Sequence, residues 1–146
     1  MPLLKDLKRH KLLLDTHVLI WLMQGNTVLS QPFRKAVNQS QDRDGILISA
    51  ISIWEIGMLE EKGRIALGMD CFDWIDQMLS LPGMTLVPLS PRIAIQSSRL
   101  PGQPHGDPAD RILLASAHEE NAVLVTCDEK LLAYGHDRFI NVYNPV

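Results

Sequence analysis

The stretch KLLLDTHVLIWLMQGN, Lys11 to Asn26, decides the fold. Lys11–Asp15 is a short apolar run ending on an acid, and it reads as a strand. A helical pattern follows from Thr16 to about Gln24 and stops at Gly25-Asn26. The same change of pattern recurs along the chain. Ser30–Asp42 reads as a more polar helix with Pro32 near its start, GILIS (Gly45–Ser49) as a second strand, and Ala50–Lys62 as a helix halted by Gly63. Gly63–Gly68 is a turn or short extended piece. Asp70–Leu81 is a helix with Asp70 as its N-cap and Pro82-Gly83 closing it. MTLVPL (Met84–Leu89) is a third strand, and Ser90–Arg99 a helix with Pro91 at its first position. After an irregular Pro/Gly-rich loop, Leu100–Pro108, come a helix over Asp107–Glu120 and a strand over Ala122–Thr126. A short helix over Glu129–Tyr134 and a fifth strand over Phe139–Tyr143 end the chain. Strands alternating with helices predict an α/β fold around a parallel sheet.

A chain of 146 residues suits one domain with a real core. Apolar residues are 46% and charged residues 21%, an ordinary globular mixture. No apolar run approaches the ~18–20 residues that span a bilayer. Charges at Lys5, Asp6, Lys8 and Arg9 break up the N-terminus, so no signal sequence is expected and the chain reads as cytoplasmic. Cys71 and Cys127 form no CxxC pair and read as reduced, mostly buried thiols. The net charge of −3 is a poor match to a sequence-independent nucleic-acid coat protein, which would be strongly basic. It does not exclude an enzyme that cuts RNA, because bound metal reverses the sign where the phosphate sits.

The acids carry the functional signal. Ligands of parallel α/β sheets bind outside the carboxyl ends of the strands. Asp15 closes the first strand, Asp128 follows the fourth by two residues, Glu55 lies in the helix after the second, and Asp110 opens the helix before the fourth. All four can meet at one sheet edge. Crowded carboxylates repel and gain from a hard divalent cation with oxygen ligands, such as Mg²⁺. Phosphodiester hydrolysis is the chemistry that follows. No Ser-His-Asp or Cys-His arrangement, P-loop or Rossmann glycine fingerprint competes.

Each acid also has a purely structural reading. Ser52-Ile-Trp-Glu55 fits a capping box. Asp107-Pro108 fits an N-cap with Pro at N1, which puts Asp110 at N3, and Asp128 can cap the helix at Glu129. Against this, Ser52 and Glu55 are the only strongly polar residues of ISIWEIGML and share a face, and a charge on an apolar helix needs a partner.

Four stretches together resemble the PIN-domain family, and within it the VapC-type toxins of toxin–antitoxin pairs: LLLDTHVLIWLM (Leu12–Met23), ISAISIWEIGML (Ile48–Leu59), HGDPADRILLASA (His105–Ala117) and VLVTCDEKLLAYG (Val123–Gly135). The resemblance runs from about Lys11 to the C-terminus. It implies a three-layer α/β/α fold with a central parallel sheet of four to five strands, as one domain over 11–146 with residues 1–10 as an N-terminal extension. The activity implied is that of a Mg²⁺- or Mn²⁺-dependent endoribonuclease, commonly homodimeric and blocked by a cognate antitoxin. The family's metal-binding and catalytic acids fall on Asp15, Glu55, Asp110 and Asp128. Asp107 is then the helix cap or a supporting acid, and Thr126 an orienting group. The ten leading residues depart from the usual start of the family; Lys5, Lys8 and Arg9 there read as part of a solvated tail.

Among other residues, His17 reads as satisfying a local backbone group and His105 as a loop residue near the acids. Trp21 and Trp54 read as core or dimer packing, and Arg92, Arg99 and Arg111 as candidate phosphate contacts, Arg111 equally as the partner of a neighbouring acid that holds the helix start. A haloacid-dehalogenase-type phosphatase would need an acid where His17 stands. The alternative of another class is a catalytically weak PIN-fold module that binds RNA or a partner.

Overall fold

The computed structural model describes Leu7, residues 9–102, Pro104, residues 106–136 and residues 140–146. Five short strands form the sheet: β1 (Leu12–Leu14), β2 (Ile46–Ser49), β3 (Met84–Val87), β4 (Val123–Val125) and β5 (Val142–Tyr143). All neighbours are parallel, in the order β3-β2-β1-β4-β5. The helices between them are α1 (Thr16–Met23), α2 (Gln31–Gln41), α3 (Ala50–Glu61), α4 (Cys71–Leu79), α5 (Pro91–Ser97), α6 (Pro108–Glu120) and α7 (Glu129–His136). The expected elements are all present, most of them one to three residues shorter than expected, while the helix expected over Glu129–Tyr134 runs two residues further, to His136. Ser30, Asp70, Ser90 and Asp107 each accept a backbone N–H as N-caps. Phe139, the expected start of the fifth strand, lies outside the described residues, and β5 is only two residues long.

Successive strand residues point to opposite faces, and this builds two cores. Leu12, Leu14, Ile46, Ile48, Val123 and Val125 pack with Leu19, Phe33, Trp74 and Met78 from α1, α2 and α4. Leu13, Leu47 and Leu124 pack on the other face with Ile93, Leu113, Leu114 and Leu131 from α5, α6 and α7. The result is the three-layer α/β/α arrangement. Full burial of one such Leu is worth roughly 1.5–3 kcal/mol, so the sheet's carboxyl edge is held by a rigid double-sided core. Gly135 lets α7 lie close on β5, since a Cβ there would run into the Val142 side chain. At the other end of α6, Asn121 takes the left-handed conformation (φ 51°) that turns the chain into β4.

Leu7 corrects the picture of a solvated tail at that position: it is fully buried in the first core. The rest of the expected 1–10 extension, Lys5 and Lys8 included, lies outside the described residues except for exposed Arg9 and half-buried His10. Among the described residues, no helix is long and apolar enough to cross a membrane.

The strand order fixes the site. Leaving β1, the chain proceeds outward through β2 and β3, then returns to place β4 on the other side of β1. The carboxyl ends of β1 and β4 are therefore the topological switch point, where α/β sheets open a crevice for ligands.

Candidate active site

Asp15 follows β1 and Thr126 follows β4, so they face each other across the switch point. The buried Thr126 hydroxyl donates to Asp15 Oδ2 at 2.7 Å and accepts the Asp128 backbone N–H at 3.0 Å. One hydroxyl thus fixes Asp15 and the backbone of the next acid together. The other Asp15 oxygen accepts the Thr16 N–H at 2.7 Å, which makes Asp15 itself the N-cap of α1.

Glu55 is reached from α3. Here the structure replaces the capping-box reading: the N-cap of α3 is Ser49, whose hydroxyl accepts the Ile51 N–H at 3.1 Å. Ser52 is instead buried inside the helix. Its hydroxyl and one Glu55 carboxylate oxygen both lie 2.9 Å from Thr16 Oγ1. The Thr16 hydroxyl carries one proton and the carboxylate can only accept, so Thr16 donates to Glu55 and Ser52 supplies the second bond. Thr16 was not singled out by sequence reasoning. Its signal is its place directly after Asp15, with Ser52 on the same face of α3 as Glu55.

The remaining acids stand at helix starts. Asp107 Oδ1 accepts the Asp110 N–H at 3.0 Å, so Asp107 is the N-cap and Asp110 the N3 residue of α6. Asp128 Oδ1 accepts the N–H groups of Lys130 and Leu131 at 2.9 and 3.0 Å and caps α7. Asp107, Asp110 and Asp128 line one cleft with Glu129 and Lys130. The caps foreseen for Asp107 and Asp128 are thus real, and the capping acids also face a common opening.

Electrostatics ties the four segments together. Burial and then the surrounding acids Asp107, Asp128, Asp15 and Glu55 push the Asp110 carboxyl from its ordinary 3.8 up to about 7. Burial raises Asp15, opposed mainly by its bond from Thr126. Burial also raises Glu55, opposed by the bond from Thr16, with Asp15 and Asp107 adding to the rise. These carboxylates repel one another, and a cation among them would reverse each shift.

The donor set is all oxygen, which suits a hard divalent ion such as Mg²⁺ or Mn²⁺ and not a thiolate-loving one. Among the described residues, no three acid, His or Cys side chains close into a ready metal cage. Mg²⁺ keeps several waters and takes few direct carboxylates, so it does not need such a cage. On that chemistry the residues fit such a group.

The PIN domain family model matches residues 12–137. The chain belongs to the PIN-domain family. It is 33% identical over 131 residues to Ribonuclease VapC22 of Mycobacterium tuberculosis, a match that covers 90% of this chain and 97% of that relative. Its fold is shared with a chain of the DNA-bound VapBC complex of Salmonella typhimurium (TM-score 0.66, 19% identity, 94% of this chain and 99% of that one). It is shared equally with a chain of the promoter-DNA-bound VapBC2 complex of Rickettsia felis (TM-score 0.64, 17% identity, 91% and 97%).

Other residues of this PIN domain sort by their contacts. Arg111 is turned to backbone: it donates to the carbonyls of Ser97 and Pro104. Arg92 pairs with Glu119 at 2.7 Å, away from the cleft, and Arg99 is exposed. Exposed His17 lies with its ring tilted against Trp21, 6.1 Å between centroids. Trp21 is half-buried against the first core, whereas Trp54 is 58% exposed, which sets aside the core reading for it and leaves dimer packing. Both cysteines are free and half-buried. His105 lies outside the described residues.

Proposed function

We propose that this PIN domain is a metal-dependent endoribonuclease that acts as the toxin of a toxin–antitoxin pair. Asp15, Glu55, Asp110 and Asp128 would hold one or two divalent ions, Mg²⁺ or Mn²⁺, with Thr126 and Asp107 orienting them. The observation that carries this reading is the convergence of acids from four separate chain segments at the switch point of the sheet, where burial and then the neighbouring acids push the Asp110 carboxyl up to about 7. When bound, the ion supplies a water of lowered pKa and neutralises charge on the scissile phosphodiester. This chain's own groups do the rest. Thr126 and the Thr16 N–H hold both oxygens of Asp15, the Thr16 hydroxyl holds Glu55, and the capped first turns of α6 and α7 present Asp110 and Asp128.

The likeness to a relative named as a ribonuclease supports RNA as the substrate. The shared fold with chains of VapBC complexes is consistent with a cognate antitoxin as partner. We further propose a homodimer working in the cytoplasm. The test is cleavage of total and transfer RNA by antitoxin-free protein in Mg²⁺, Mn²⁺ or EDTA, beside Asp15→Asn. Discrete products that require both metal and Asp15 are expected. A folded wild-type protein that binds RNA but cuts none under any metal would refute the enzyme reading and leave a binding module.

A further inference from the structure

Two side chains outside the acid set converge on the backbone that leads into α6. Arg111, one residue after Asp110, donates from Nε to the Ser97 carbonyl at 2.8 Å and from Nη1 to the Pro104 carbonyl at 3.1 Å. Tyr134, buried on α7, donates its hydroxyl to the Pro101 carbonyl at 2.7 Å. α7 is the helix capped by Asp128. The first turn of α6, through Arg111, and the body of α7, through Tyr134, are therefore bonded to one short stretch of chain between Ser97 and Pro104. Ser97 is the last residue of α5, and the described residues beyond it, Pro101, Gly102 and Pro104 among them, lie in no helix or strand.

We propose that Arg111 and Tyr134 are positioning residues that tie the first turn of α6 to α7 and so set the spacing of Asp107, Asp110 and Asp128 for a divalent cation. This rests on the reading of the acids as a metal site. Like charges drive these acids apart when no cation is present, and a hold that does not depend on the cation keeps the site open to receive it. The guanidinium suits the task because its planar fork bonds two carbonyls at once, which a lysine ammonium on a flexible stem does not reproduce. With Nε and Nη1 turned to carbonyls, Arg111 holds the chain ahead of α6 by its backbone.

The test uses the full chain and the variants Arg111→Lys, Tyr134→Phe and, as a control for lost surface charge, Arg92→Gln. Mn²⁺ binding is read by electron paramagnetic resonance without RNA, alongside amide hydrogen exchange over 97–110 and cleavage across a metal titration. Arg111→Lys and Tyr134→Phe are expected to weaken Mn²⁺ binding about tenfold, the scale on which supporting groups act on metal sites. Exchange in 97–110 should speed up. The metal midpoint for cleavage should rise by the same factor, while KM for RNA and kcat at saturating metal stay within about twofold. Arg92→Gln should change none of these. Unchanged Mn²⁺ binding in folded Tyr134→Phe overturns the proposal even if Arg111→Lys fails to fold. A raised KM at an unchanged metal midpoint also overturns it, because Arg111 would then be touching phosphate. A wild-type protein that binds Mn²⁺ but cuts no RNA would sink the ribonuclease reading alone, since binding and exchange still decide this one. A wild-type protein that binds no Mn²⁺ overturns both.

Discussion

Replacing Asp110 with Asn should stabilise the metal-free protein at alkaline pH. In the folded chain the Asp110 carboxyl titrates at about 7, against 3.8 when free of its surroundings. Between those two values the folded state binds the extra proton, so stability is highest at low pH and falls as pH rises toward 7. Fully buried, a gap of that size would amount to about 4 kcal/mol at ~1.4 kcal/mol per pH unit. Asp110 is only half-buried, and solvent screening cuts this to about 1–2 kcal/mol. The Asp110→Asn variant also gives up a carboxylate in the first turn of α6, worth ~0.3–1 kcal/mol. The net gain expected at pH 8 is about 1 kcal/mol, or roughly 3 °C in Tm for a domain of this size. Thermal unfolding followed by circular dichroism in EDTA at pH 5 and pH 8 reads it directly. The wild type should lose stability between the two, Asp110→Asn should change less, and Mg²⁺ at pH 8 should raise the wild-type Tm but not the variant's. A variant less stable than wild type by the same amount at both pH values would refute the reasoning, because Asp110 would then be supporting the helix and not straining against its neighbours.

Thr126→Val should leave the Asp128 N–H without its buried acceptor and free Asp15 to turn. About 1–3 kcal/mol of stability should be lost in urea unfolding, and cleavage should fall about 10- to 100-fold; Thr126→Ser should recover most of both. Thr16→Val should release Glu55 while keeping the backbone bond to Asp15. The metal midpoint for cleavage should then rise about tenfold, and an unchanged titration would count against a role for Thr16. Gly135→Val should drive α7 off β5 and destabilise the fold by at least ~1–3 kcal/mol in urea unfolding.

Which strands and helices exist was readable from the run lengths, because an α/β chain alternates patterns of different period. β1, β2 and β4 are short apolar runs with Leu, Ile or Val on both faces, as a strand covered on both sides must be. The face that α3 presents was not readable. Its sequence AISIWEIGMLEE is apolar nearly all round, so no stripe marks which residues go inward; Ile56 is buried while Trp54 faces out. The contact of Thr16 with Ser52 and Glu55 was hidden for another reason. It joins residues 36 and 39 positions apart, whereas the S-x-x-E spacing offered a local use for the same two side chains. The capping motif was satisfied elsewhere, by Ser49, and left Ser52 and Glu55 to the tertiary structure.

The acids show why local and functional readings coincide here. Asp15, Asp107 and Asp128 are each the N-cap of a helix, and Asp110 sits in a first turn. In a parallel sheet the chain leaves each strand at its carboxyl end. The helices after β1 and β4 must start there, so a cap at the start of α1 or α7 is carried to the edge where the switch point opens. α6 ends where β4 begins, at the amino edge, so running back over the sheet it starts at the carboxyl edge as well, and the bonds from Arg111 and Tyr134 hold the chain ahead of it. Helix N-termini carry partial positive charge, which favours ionised carboxylates close to one another. Capping therefore does not compete with a metal-binding role for these residues: the same hydrogen bonds that finish the helices are what gather the carboxylates, and only Glu55, in the middle of α3, has to be brought in by a side chain from another helix.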